Sequence, residues 1–256
     1  MKKHIKATLL LFTTLLLISC SSDDGDDVNN NENTNGDTTV LIKSITEYSY
    51  DNSNVNPSIY VVNYTYDENK IVSIEEYLND NLRYSYNFNY TNNLLSQYNV
   101  IYVSNEQSNR ITFFRYDNNN RLTEYISEGG GVEYSENFVY NGNIVTSDDC
   151  TSFELQNNQI ISFTEYNDDD CKTVGYTANL TYDNNKNAFS NIEGYNWFFQ
   201  YDYTFQSTIE YLSGINNVTF DGDFDYAYDY NENGYPRNIT VTENGNVLAT
   251  LTIEYY

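Results

Sequence analysis

Seven times along this chain of 256 residues, an apolar row ends at a tyrosine or leucine, runs into a short polar turn and starts again. The clearest copy is Tyr116-Asp117-Asn118-Asn119-Asn120-Arg121-Leu122, and Tyr66-Asp67-Glu68-Asn69-Lys70-Ile71, Tyr140-Asn141-Gly142-Asn143-Ile144, Tyr182-Asp183-Asn184-Asn185-Lys186 and Tyr230-Asn231-Glu232-Asn233-Gly234 repeat it. Worn copies are Tyr90-Thr91-Asn92-Asn93-Leu94 and Leu155-Gln156-Asn157-Asn158-Gln159-Ile160. The residue after the tyrosine falls at 67, 91, 117 and 141, steps of 24, 26 and 24, and the step from 183 to 231 is twice 24, with its midpoint at Ser207. A period of that length is one hairpin of two strands, so these turns should line one rim of a sheet. The other rim then holds Asn79-Asp80, Ser104 to Ser108, Gly129-Gly130-Gly131, Asp148-Asp149, Asn167 to Asp170 and Asn244-Gly245.

Between the turns, apolar and polar residues alternate with period two, the mark of a half-buried strand. Tyr60, Val62, Tyr64 and Tyr66 share a face; so do Leu82, Tyr84, Tyr86, Phe88 and Tyr90, and Val174, Tyr176, Ala178, Leu180 and Tyr182. The same reading makes Trp197, Phe199, Tyr201, Tyr203 and Phe205 a strand row, and Phe220, Phe224, Tyr226, Tyr228 and Tyr230 another. Asn-Gly pairs at 141, 233 and 244 supply the positive φ that tight hairpins need. The 28 tyrosines and 13 phenylalanines suit strands and exclude a disordered body. The expected fold is all-β: an up-and-down antiparallel meander of roughly 14–18 strands, curled or closed into one barrel-like sheet because strand twist accumulates. A membrane-spanning barrel would instead need an apolar outer band.

Three segments follow. Residues 1–20 read as a lipoprotein signal: a basic start with Lys2, Lys3 and Lys6, an apolar run, then Leu17-Ile18-Ser19-Cys20, a lipobox-like end at which Cys20 would be lipidated. Residues 21–39, acidic and Asn-rich, read as a disordered tether, and 40–256 as one β domain. Net charge is −25, and removal of the leader lysines leaves nine basic residues against 37 acidic, so nucleic acid is not an expected partner.

The Tyr-Asp-x-Asn-x units resemble the YD repeats of the RHS family. Together with the lipobox and acidic tether they resemble the uncharacterised Bacteroidetes lipoproteins described as having a porin-like fold. The resemblance implies such a fold over residues 41–256 and display at the cell surface, and it implies no catalytic residue.

Chemistry-bearing residues are sparse. The single histidine, His4, lies in the leader, so Ser-His-Asp and Cys-His catalysis and most zinc sites are excluded from the mature chain. Cys150 and Cys171 fall in loops of the rim opposite the Tyr-Asp turns, and in an oxidising compartment they are expected to form a disulfide. Asp148, Asp149, Asp168, Asp169 and Asp170 bracket them and are weak Ca²⁺ candidates beside the plainer reading of solvated turns. Glu75 and Glu76 are a nominal glycosidase pair. No cofactor is expected. The expectation is a monomeric, outer-membrane-anchored and surface-displayed lipoprotein whose non-catalytic domain binds a glycan or protein, or serves as a scaffold. The alternatives are a polysaccharide-acting enzyme and a Ca²⁺-dependent adhesin.

Overall fold

The computed structural model describes residues 39–50, 56–168, 170–202 and 212–256. Cys20, the signal segment and the tether up to residue 38 lie outside them. The alternating rows become β1 (Ile42–Ser49), β2 (Ser58–Asp67), β3 (Lys70–Leu78), β4 (Asn81–Thr91) and β5 (Leu94–Tyr102). Then come β6 (Arg110–Tyr116), β7 (Leu122–Gly129), β8 (Val132–Asn141), β9 (Ile144–Ser147), β10 (Thr151–Gln156) and β11 (Gln159–Tyr166). The last are β12 (Val174–Asn179), β13 (Thr181–Tyr182), β14 (Val218–Phe220), β15 (Asp225–Tyr230), β16 (Pro236–Glu243) and β17 (Asn246–Tyr255).

Each strand pairs antiparallel with the next, and β17 returns to β1, with Ile253 opposite Ile45 and Leu251 opposite Glu47. β12 and β13 are one strand interrupted at Leu180: the first pairs with β11 and the second with β14. Leu180 still donates its N–H to the Ile161 carbonyl at 2.9 Å. The sheet is thus a nearly closed barrel, which leaves little unpaired edge. Inward positions such as Ile45, Tyr64, Ile74 and Leu251 are buried, whereas the outward Asn63, Thr65, Asn87 and Asn89 are exposed.

The repeat has a mechanical reason. At five of the seven copies the register slips beside the turn, at Tyr66, Tyr90, Tyr116, Leu155 and Tyr230, whereas the hairpin at Tyr140 pairs without a slip. Such a bulge bends the strand and raises its twist, which is what a sheet needs in order to close. The bulged tyrosine then points inward and bonds the hairpin before it. Tyr90 Oη donates to the Ile71 carbonyl at 3.0 Å, Tyr116 Oη to Leu95 at 2.9 Å, and Tyr182 Oη to Ile160. These three copies staple their hairpins to their predecessors. Polar turn residues accept the left-handed φ required, +52° at Asn92, +61° at Asn120 and +64° at Gly142.

One expected strand is no strand over its described residues. Trp197, Phe199 and Tyr201 belong to an irregular segment inside the barrel, with a single helical turn, α1 (Phe198–Tyr201). Tyr203, Phe205 and Ser207 lie outside the described residues. The physical reason is burial on every side: Trp197, Phe198, Phe199 and Gln200 are all buried, including the position that alternation assigns to solvent. The segment docks on the Tyr-Asp rim. Glu193 donates its N–H to the Asn69 carbonyl at 2.9 Å, and Trp197 Nε1 donates to Tyr140 Oη at 3.1 Å. Gly194 sits at φ +77°, with space for a Cβ only 2.8 Å from the Tyr90 ring and 3.0 Å from the Asn93 carbonyl. Phe198 and Phe199 pack on Phe114 at centroid distances of 6.1 and 5.4 Å, and Trp197 packs on Phe138 and Phe153 at 5.4 and 5.0 Å. This plug closes one end of the barrel.

Candidate functional site

Above the plug the described residues of the barrel surround a cavity. The cavity holds about 990 Å³ and opens toward the rim opposite the Tyr-Asp turns. Phe198, Tyr201 and Asp202 of the plug form its floor. Nine tyrosines, six carboxylates and two arginines are among the residues that line it.

The carboxylates reach it for a simple reason. In β3, β8 and β11 the inward row is apolar near the floor and then turns acidic: Ile74 gives way to Glu76, Phe138 to Glu136 and Phe163 to Glu165; β1 makes the same change from Ile45 to Glu47, which does not line the cavity. Glu47 is fully buried and Glu76 half-buried. Burial raises the Glu76 carboxyl above its ordinary value; Arg83 acts to lower it and Glu47 to raise it. The Arg83 guanidinium also lies 5.0 Å from the centre of the Tyr84 ring, an attractive cation–π arrangement.

A second group stands on β8 and the β9–β10 turn. Tyr134 Oη lies 3.3 Å from Glu136 Oε2 and 3.2 Å from Asp149 Oδ2, so one phenol bridges two carboxylates. Glu136 is 6% exposed. Burial first, and then the negative charges of Asp149 and Asp148, raise its carboxyl, while hydrogen bonds from Ser147 and Tyr134 lower it. Burial and the same two carboxylates, Glu136 and Asp149, push the Tyr134 phenol up. On the other side of the mouth Tyr176 Oη donates to Asp223 Oδ2 at 3.2 Å.

Of the residues singled out in the sequence, Cys150 and Cys171 are joined in a disulfide with Cα atoms 5.0 Å apart. The aspartates around them do not gather. Asp148 accepts from the Asn137 N–H and Nδ2 at 2.8 and 2.7 Å, and Asp149 faces the cavity. Asp168 accepts from the Lys172 and Thr173 backbone and from Thr173 Oγ1, and Asp170 pairs with Lys172. These bonds, led by that from Thr173, hold the Asp168 carboxyl below its ordinary value. Asp169 lies outside the described residues. Among the described residues no group of three such side chains is placed to hold a metal ion. Glu75 and Glu76 face opposite sides of β3, as adjacent strand residues must, so they are no catalytic pair; Glu75 accepts from Tyr77 on the outside. Arg83, which alternation sets on the outer face opposite Tyr84, lines the cavity instead, and Arg110, Tyr134 and Glu136 have no role in the sequence reading, although a charge interrupting an inward apolar row was a usable signal for Arg110 and Glu136.

Fold and cavity define a class: a nearly closed, up-and-down antiparallel β-barrel with one end plugged from within and a tyrosine-rich, carboxylate-bearing cup at the other. No protein-family model matches the sequence, and no curated protein matches it. Among solved structures it is similar to a porin-like protein from Bacteroides uniformis ATCC 8492, with 14% identity and a TM-score of 0.46, over 84% of this chain and 96% of that one. It is also similar to a porin-like protein from Bacteroides vulgatus ATCC 8482, with 11% identity and a TM-score of 0.23, over 85% and 99% of the two chains.

Proposed function

We propose that the barrel is a non-catalytic binding domain, carried at the outer-membrane surface by a lipid on Cys20, that takes its ligand into the cup. The observation that carries this reading is the cup itself. Its 990 Å³ is of the order of small-molecule sites, and it joins flat aromatic faces with a few directed polar groups. Exposed outward residues such as Asn63, Thr65, Asn87 and Asn89 give the wall a polar outer face at those positions, where a spanning barrel would carry an apolar band. That favours a tethered domain in water, as does Leu17-Ile18-Ser19-Cys20 followed by an acidic stretch. Radiolabelled palmitate should enter the wild type and not Cys20→Ser, and protease applied to intact cells should remove the domain. For binding, Trp197 is the sole tryptophan and packs beside Phe198 of the cup floor, so its fluorescence reports on that floor. A screen of soluble glycans and small organic ions should find compounds that change it saturably; a screen with none would overturn the reading.

The second reading, a hydrolase acting on extracellular polysaccharide, is favoured by one observation. Glu136 and Asp149 both approach Tyr134 Oη, and burial raises the first of them, the kind of asymmetry an acid and a base require. Release of reducing ends that Glu136→Gln and Asp149→Asn each abolish would establish it.

A further inference from the structure

A buried carboxylate is costly unless a cation or several hydrogen bonds compensate it. Two parts of the cup meet this requirement differently. Near Glu76, the chain supplies its own cation, Arg83, which also lies against the Tyr84 ring. Near Glu136, hydrogen bonds from Ser147 and Tyr134 favour the charged carboxyl, while the neighbouring charges that act on it, Asp149 and Asp148, are both negative. Tyr134 has one phenolic proton to share between Glu136 and Asp149. Arg110, the other lining arginine, stands on β6, two strands from β8; its charge acts on Tyr125, and its Nε is buried without a hydrogen-bond partner among the described residues.

Rings stand beside this pair of like charges. Tyr134 meets Tyr125 edge-on, with centroids 5.9 Å apart, and Tyr125 in turn packs on Phe198 of the floor at 5.2 Å. Across the cup the chain places a guanidinium on just such a tyrosine face.

We propose that the cup binds an organic amine, its ammonium seated between Glu136 and Asp149 against the rings of Tyr134 and Tyr125, and the rest of the ligand in the remaining cavity. This rests on the reading of the cup as a binding site. The chemistry separates an amine from two rivals. A hard divalent cation needs six or more oxygen ligands, and two carboxylates with flanking rings do not supply them. A neutral sugar would leave the repulsion between Glu136 and Asp149 unrelieved. An ammonium satisfies both features at once: it donates to the carboxylates and is attracted to aromatic faces.

The test titrates spermidine, then choline, into the full-length chain in detergent, read by calorimetry and by Trp197 fluorescence. Spermidine should bind, and raising the salt from about 0.05 to about 0.5 M should weaken it roughly tenfold, because the contact is between charges. Glu136→Gln and Asp149→Asn should each weaken binding about tenfold or more at low salt, and Arg110→Gln, which removes a competing cation of the wall, should strengthen it. Glu254→Gln on the outer wall should leave it unchanged. Equal losses in Glu254→Gln and Glu136→Gln would mean general attraction to an acidic protein and would overturn the proposal. Failure of spermidine and choline while a neutral compound still shifts Trp197 would overturn the amine and leave the binding cup standing. Silence of every compound at Trp197 would remove both.

Discussion

Phe199→Ala is the sharpest probe of the plug. The Phe199 side chain is fully buried, with ring centroids 5.4 Å from Phe114 on β6 and 5.0 Å from Tyr195 within the plug itself. It therefore joins a segment without strand structure to the wall of the barrel. Truncating a fully enclosed phenylalanine removes transfer energy and leaves a cavity, at a cost of about 3–5 kcal/mol. For a domain of this size each kcal/mol lowers Tm by about 2–4 °C, so a loss near 4 kcal/mol shifts Tm by roughly 8–16 °C. Thermal unfolding should be followed by far-ultraviolet circular dichroism for the strands and by Trp197 fluorescence for the plug. The plug and wall share one core, so both signals should move together by that amount. A shift below about 1 kcal/mol, or a Trp197 transition well ahead of the strand transition, would refute the claim that the plug is part of the core.

Other perturbations test other joints. Gly194→Ala places a Cβ against Tyr90 and the Asn93 carbonyl at a positive φ, so it should cost about 1–3 kcal/mol in urea unfolding and loosen the plug from the rim. Replacing Cys150 and Cys171 together by serine opens a loop of 21 residues and should cost about 3 kcal/mol, with unchanged circular dichroism at 25 °C. Glu136 gives a pH signature. Its folded carboxyl sits above its ordinary 4.5, so the folded state binds the extra proton. Its contribution to stability is therefore full below that value and is lost as pH rises through the folded one. Glu136→Gln should accordingly be more stable than wild type at pH 8, with the difference gone near pH 4; an equal difference at both would contradict the assignment.

The wall was legible in the sequence because two strong local signals agreed. Alternation placed Val62, Tyr64, Tyr86 and Phe88 inward, and Asn-rich turns tolerating positive φ placed the reversals, which together set the two rims. Closure was foreshadowed, but its device was not: the bulge at Tyr66, Tyr90 and Tyr116 is a feature of pairing register and appears only once the partner strand is known. The plug was misread because Trp197-Phe198-Phe199-Gln200-Tyr201 satisfies alternation at every second residue. The contrary sign was Phe198, an aromatic at the position that should be wet. The cup was missed for a related reason. Glu76 and Glu136 look like solvated strand residues in isolation, and only the barrel's curvature sets them facing a common space. Cys150 and Cys171 lay within reach because both sit on short loops of one rim, whereas their aspartates serve neighbouring backbone groups instead of a common centre.

The central claim is that the ligand occupies the inside of the barrel. The most direct measurement places a single new thiol at Tyr102, whose ring lines the cup 5.0 Å from Tyr84, and compares it with one at Asn87, which faces outward from β4. Each variant is titrated with a compound that shifts Trp197, before and after reaction with a bulky maleimide. Binding should survive modification at Asn87 and disappear on modification at Tyr102. Equal binding by the two modified proteins would place the ligand elsewhere and contradict the account.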